Sequence, residues 1–191
     1  MSATQIVDGV DVPVAGIWSV DPGHTEVGFV GRHLGLTKTR GRFTGVDGTL
    51  HVAADPTAST IEVTIDMASV ESGSTNRDNS LRSANYFDVD NHPTARFRST
   101  AITMGGTGGT VTGDLTIKGV TRRVVLDVEY LGYARDPWGN DRAAFSATAT
   151  INREDWGLTN NMALDSGRLL VSKRIQLEIE LELIHQGEPG E

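Results

Sequence analysis

The sequence predicts an all-β fold of about nine one-sided strands gathered around a common interior. Three observations lead there. The dominant hydrophobic period is two residues, the apolar runs are separated by Gly, Asp and Pro turn chemistry, and the charged residues fall on the phase opposite to the apolar ones. In a strand, alternation places every apolar side chain on one face; in a helix the same residues would be smeared around the axis.

Taken in order, residues 1–13 read as a loose or edge-docking N-terminal arm, 14–186 as one domain, and 187–191 as a frayed tail. Strands are expected near 15–20, 25–33, 39–54, 60–67, 94–103, 110–117, 121–133, 142–152 and 173–185. Asp21-Pro22-Gly23 breaks the first from the second. Ile61, Val63 and Ile65 alternate with Glu62 and Thr64, Val111, Gly113, Leu115 and Ile117 with Thr112, Asp114 and Thr116, and Phe145, Ala147, Ala149 and Ile151 with Ser146, Thr148 and Thr150. The cleanest run is the last, Ile175, Leu177, Ile179, Leu181 and Leu183 against Gln176, Glu178, Glu180 and Glu182. Asp47-Gly48, the stretch Gly105–Gly109 and Lys118-Gly119 supply residues that tolerate positive φ, so neighbouring strands are expected to be antiparallel. Two segments depart from the period. Within 72–88, Leu81, Ala84 and Phe87 recur at spacing three behind Ser74 or Thr75 as a helix cap; within 152–158, Asn152 opens one helical turn and Gly157 stops it. One-sided strands of this number close as a sandwich or a barrel, and the length of the last strand favours the barrel.

Composition narrows the chemistry. The 191 residues contain no cysteine, which removes disulfides, cysteine zinc sites, iron–sulfur clusters and thiol nucleophiles. With 17 Lys and Arg against 25 Asp and Glu, the net charge of −8 argues against a nucleic-acid partner. No apolar run approaches a membrane-spanning helix. The first Lys or Arg is Arg32, and Asp8 and Asp11 interrupt the early apolar stretches, so no secretory signal is read and a cytoplasmic location is expected. None of the five histidines has metal-ligand spacing, and no nucleophile elbow or phosphate loop occurs; no metal, cofactor or catalytic residue is expected. Arg32, Arg40, Arg42, Arg77, Arg82 and Arg153 read either as salt-bridging and capping residues or as an anion-binding rim at a barrel mouth. Small residues in the strands, Gly28, Gly31, Gly113, Ala143, Ala147 and Ala149, suggest an interior left partly unfilled, with room for one ligand.

Ordered motifs then point to a family. Asp21-Pro22-Gly23-His24, Arg32-His33-Leu34-Gly35, Arg40-Gly41-Arg42-Phe43, Asn76-Arg77-Asp78-Asn79-Ser80-Leu81, His92-Pro93-Thr94-Ala95-Arg96-Phe97, Thr112-Gly113-Asp114-Leu115, Asp136-Pro137-Trp138-Gly139 and Ile151-Asn152-Arg153-Glu154-Asp155-Trp156-Gly157 follow one another as in YceI-like, polyisoprenoid-binding proteins. The chain resembles that family from about Trp18 to His185, with Ser80 standing where the family usually has His. The resemblance implies an elongated, lipocalin-like antiparallel β-barrel of about eight strands with one or two short helices, a homodimer, and an apolar interior for an isoprenoid quinone, a polyprenyl phosphate or a fatty-acid derivative. Phe29, Leu34, Phe43, Phe97, Leu115 and Phe145 are the expected pocket lining, and Arg32, His33 and Arg82 the expected head-group contacts. The leading expectation is a non-enzymatic protein that binds, stores or transports such a lipid. The alternatives are a stress-related interaction module with an inert core, and an enzyme on the same lipid using His24 or His33 with Asp78.

Overall fold

Alternating residues fold into strands here because each strand buries its apolar phase against its neighbours across a common interior. The computed structural model describes residues 4–7, 9–163 and 169–187. A short hairpin comes first, β1 (Thr4–Val7) and β2 (Val10–Pro13). The main sheet follows as β3 (Gly16–Val20), β4 (Glu26–His33), β5 (Thr37–Phe43), β6 (Val46–Val52), β7 (Thr60–Asp66), β8 (Val70–Glu71), β9 (Thr94–Gly105), β10 (Gly108–Ile117), β11 (Val120–Arg135), β12 (Asp141–Asn152) and β13 (Arg174–His185). Among the described residues a single α-helix, α1 (Thr75–Arg82), follows β8.

Every pairing is antiparallel. The order β3-β6-β7-β9-β10-β11-β12-β13 closes on itself because β13 pairs with both β12 and β3, giving a barrel of eight strands and deciding against the sandwich. Two neighbouring strands are interrupted. The expected strand 39–54 is split into β5 and β6 at Thr44-Gly45, and β3 and β4 are split at residues 21–25. β13 therefore meets β3 near one end of the barrel and β4 nearer the other. Thr25 bridges the gap: its hydroxyl bonds to the carbonyl and receives the N–H of Glu182, replacing the missing ladder bonds. Arg142 ties the same corner together. It reaches Asp21 at 2.6 Å, Asp136 at 2.8 Å and Glu182 at 2.5 Å, so Asp21-Pro22 and Asp136-Pro137 serve one ion network. Those contacts hold the Asp21 carboxyl down at about 2, with the Arg142 hydrogen bond the largest cause.

The two ends of the barrel are closed differently. At one end the β1–β2 hairpin lays Val10 and Val12 against a core of Trp18, Leu50, Tyr130 and Leu183. The stretch Gly105–Gly109 lies at this end as a plain hairpin turn, with Gly105 opposite Gly108. At the other end α1 and the segment after it place Leu81 and Phe87 against Phe43, Ile65, Met67 and Val70. Ser74 is the N-cap of α1 by backbone position, but its hydroxyl makes no capping bond. The turn after β12 spans Arg153–Trp156 as expected: Asn152 accepts the N–H of Glu154 and Gly157 ends the turn at φ 74°. Trp156 then plugs the wall by donating its indole N–H to the carbonyl of Leu115 at 2.9 Å.

Candidate functional site: an apolar lumen

The interior of the barrel is not filled. A cavity of about 1010 Å³ runs inside it, lined by residues of β4, β6, β7, β9–β13 and α1. Its origin is visible in the last strand. Ile175, Leu177, Ile179 and Leu181 all face the lumen and all stay partly accessible, whereas Leu183, in the core near the hairpin end, is 1 % exposed. On the neighbouring strands Ala147 of β12 and Leu126 and Val128 of β11 are likewise inward and incompletely covered. A wall of this chemistry excludes polar solutes and favours hydrocarbon, at roughly 25 cal/mol per Å² of apolar surface removed from water. The volume lies at the upper end of the range for small-molecule sites, about 300–1,000 Å³.

The glycines shape this space differently from the expectation. Gly113 does not leave a gap: a Cβ there would stand 2.4 Å from the ring of Phe97 and 2.6 Å from the carbonyl of Arg98. Gly41 likewise lies under the ring of Phe29, 2.2 Å from where a Cβ would be. Both glycines are seats for aromatic rings that line the lumen. Gly28 lies off the lumen, where a Cβ would meet the carbonyl of Glu178 at 2.9 Å, and Ala143 and Ala149 are buried in the wall. Of the small residues named from the sequence, Gly31 and Ala147 face the cavity.

Phe29, Phe43, Phe97, Leu115 and Phe145 stand on the cavity wall, as do Arg32 and His33 at its α1 end. Leu34 does not. It occupies the left-handed region at φ 57° in the turn between β4 and β5, and its N–H bonds to the carbonyl of Leu170. Arg82 is also off the wall. Its guanidinium donates to the carbonyls of Ala68 at 2.8 Å and Val70 at 2.6 Å, which fastens the C-terminus of α1 to the chain at the start of β8. Ile175, Leu177, Ile179 and Leu181 also line the cavity and are not among the residues expected there, although their alternation is the clearest signal in the chain; Arg153, expected only as a salt-bridging or rim residue, lines it too.

Among the described residues no hydrogen bond or ion pair joins Asp78 to His24 or His33, the acid–base partners suggested. His24 bonds through Nδ1 to Asp21 at 2.9 Å outside the lumen, and Asp78 accepts the hydroxyl of Ser72. Asp21, His24 and Glu182 bring ligand atoms within 4.8 Å of one another, but the Arg142 guanidinium already supplies the positive charge between the two carboxylates. At the hairpin end of the lumen, burial pushes the Tyr130 phenol up to about 12, so it stays a neutral hydroxyl.

A closed antiparallel barrel of eight strands around an apolar lumen is a lipocalin-like β-barrel architecture. Within that architecture the assignment is specific: residues 18–183 match the YceI-like domain, and the chain belongs to this family. It is 37 % identical over 165 residues to a UPF0312 protein of Ectopseudomonas mendocina, covering 85 % of this chain and 83 % of that one. A UPF0312 protein of Photorhabdus laumondii is 38 % identical over 159 residues, covering 82 % and 83 %. Among solved structures, Burkholderia cenocepacia BcnA superposes with a TM-score of 0.74 at 25 % identity, over 85 % of this chain and 98 % of that one. A Campylobacter jejuni YceI protein gives 0.68 at 28 % identity, over 81 % and 90 %. A polyisoprenoid-binding domain from Saccharophagus degradans shares the fold at 0.63 and 17 % identity, over 88 % and 98 %. Among the described residues no helix is long and apolar enough to cross a membrane.

Proposed function

We propose that this protein binds a long-chain isoprenoid or other amphiphilic lipid in the barrel lumen and holds or carries it as a non-enzymatic partner. The observation that carries the reading is the cavity of about 1010 Å³ whose inward residues keep accessible apolar surface. Each methylene moved from water to such a wall contributes roughly 0.8 kcal/mol, so a tail of many carbons needs a dry tube more than it needs specific contacts. Phe29, Phe43, Phe97, Leu115 and Phe145 would contact the tail, together with Ile175, Leu177, Ile179 and Leu181. The name of the Saccharophagus degradans domain supports the same ligand class at the level of fold. The carrier role, a cytoplasmic location and a homodimer are parts of the proposal that rest on the sequence reading; fractionation and light scattering test the last two. The ligand is tested by extracting the purified protein with organic solvent and analysing the extract by mass spectrometry. The expected result is a long-chain amphiphile near one per barrel. Protein that carries none, and takes up none from quinone or polyprenyl phosphate suspensions, overturns the reading.

A further inference from the structure

The lumen is apolar along its length but its charge is lopsided. Among the described lining residues the charged side chains are Arg32, Arg77 and Arg153 at the α1 end and Asp55 at the hairpin end. Outside the lumen, Arg82 meets carbonyls, the other described arginines without an ion pair are solvent-exposed, and Arg40, Arg42, Arg98 and Arg142 each meet a carboxylate. The three cavity arginines meet none among the described residues. Arg32 donates to the carbonyl of Leu36, and Arg77 to the hydroxyl and carbonyl of Ser72.

Arg153 is the telling member. It is 4 % exposed. Its Nε donates to the carbonyl of Ser172 at 3.1 Å, and Nη1 donates to the carbonyls of Leu158 and Asn160. Its Nη2 is shielded from water and has no hydrogen-bond partner. The guanidinium carbon stands 6.0 Å from the centre of the Tyr86 ring, which also lines the cavity. Neutral carbonyls orient this group but do not neutralise it. A buried cation with unused donors is unfavourable until an anion reaches it. An oxyanion at this end of the lumen would supply both the charge and the acceptor atoms that Nη2, the one nitrogen left without a partner, lacks.

We propose that the α1 end of the lumen is an oxyanion site in which Arg153, with Arg77 and Arg32, recognises the acidic head of a long-chain amphiphile, a phosphate or a carboxylate. The tail then runs toward Tyr130 and the β1–β2 hairpin. This rests on the lumen being the lipid site and adds to it a direction and a head-group preference: acidic amphiphiles over neutral ones of the same tail.

The test compares two matched pairs by fluorescent-probe displacement: geranylgeranyl phosphate against geranylgeraniol, and palmitate against hexadecanol. In the wild type the acidic member of at least one pair binds about tenfold tighter or more, and the pair that shows it identifies phosphate or carboxylate as the head. Arg153→Met brings that ratio toward unity by weakening the acidic member, and Arg153→Lys retains part of the preference. Should Arg153→Met fail to fold, the wild-type ratios and Arg153→Lys decide. Equal affinities within both wild-type pairs overturn the oxyanion site and leave the lumen reading standing. Absence of binding by all four compounds overturns the lumen reading itself.

Discussion

Ala147 offers the sharpest perturbation of the lumen. It lies on β12 opposite Val128 of β11 and Ile179 of β13, and all three residues line the cavity. Ala147→Phe extends a ring from one wall into space that no side chain occupies. A phenyl ring lodged across the tube displaces about four methylenes of a bound tail, which at ~0.8 kcal/mol each is a loss of about 3 kcal/mol, or roughly a hundredfold in Kd. The fold should be spared, because overpacking costs arise where a core is already full. Tail affinity is measured by displacement of a fluorescent amphiphile, and stability by urea unfolding of the same preparation. Unchanged affinity in a folded Ala147→Phe variant would refute the reasoning, since the tail would then be bound somewhere other than this lumen.

Three further outcomes follow from the same geometry. Gly113→Ala should destabilise by about 1–3 kcal/mol in urea unfolding, because the new methyl meets the Phe97 ring and the Arg98 carbonyl; an unchanged midpoint would contradict the ring seat. Arg142→Ala should cost about 2 kcal/mol by leaving Asp21, Asp136 and Glu182 without their shared cation. Because Arg142 holds the Asp21 carboxyl at about 2 rather than its ordinary 3.8, that contribution is complete above pH 4 and is lost as pH falls from about 4 to 2; it amounts to about 1 kcal/mol after solvent screening, and acid unfolding of Arg142→Ala should lack that component. Arg82→Met should lower stability by about 1–2 kcal/mol through loss of the Ala68 and Val70 contacts, with the acidic-over-neutral ligand ratio unchanged; a collapsed ratio would return Arg82 to the head-group site.

The barrel was legible because period-two alternation is a direct consequence of one-sided burial, and β13 shows it most cleanly. The split of 39–54 was not legible. Val46 and Asp47 continue the strand chemistry, and the break at Thr44-Gly45 is set by the partners: β5 meets β4 and β8, whereas β6 meets β3 and β7. Leu34 looked like lining because it is apolar at the end of an apolar run, yet the tight turn before β5 puts it in a left-handed conformation. Arg82 looked like an anion ligand because composition does not distinguish a guanidinium that meets carbonyls from one that awaits a charge. Gly113, counted as empty space, proved to be the seat of Phe97, a pairing made across strands and invisible to local pattern. Arg153 was assigned to salt bridging or a rim; only the tertiary arrangement shows it buried and without a carboxylate among the described residues.

The most direct test of the lumen as the lipid site is crystallography of the protein loaded with a fatty acid brominated along its tail. The account places the anomalous bromine peak inside the barrel, within reach of Leu177 and Ile179 of β13 and Leu126 and Val128 of β11. A bromine peak on the outer wall, with no tail density in the lumen, would contradict it.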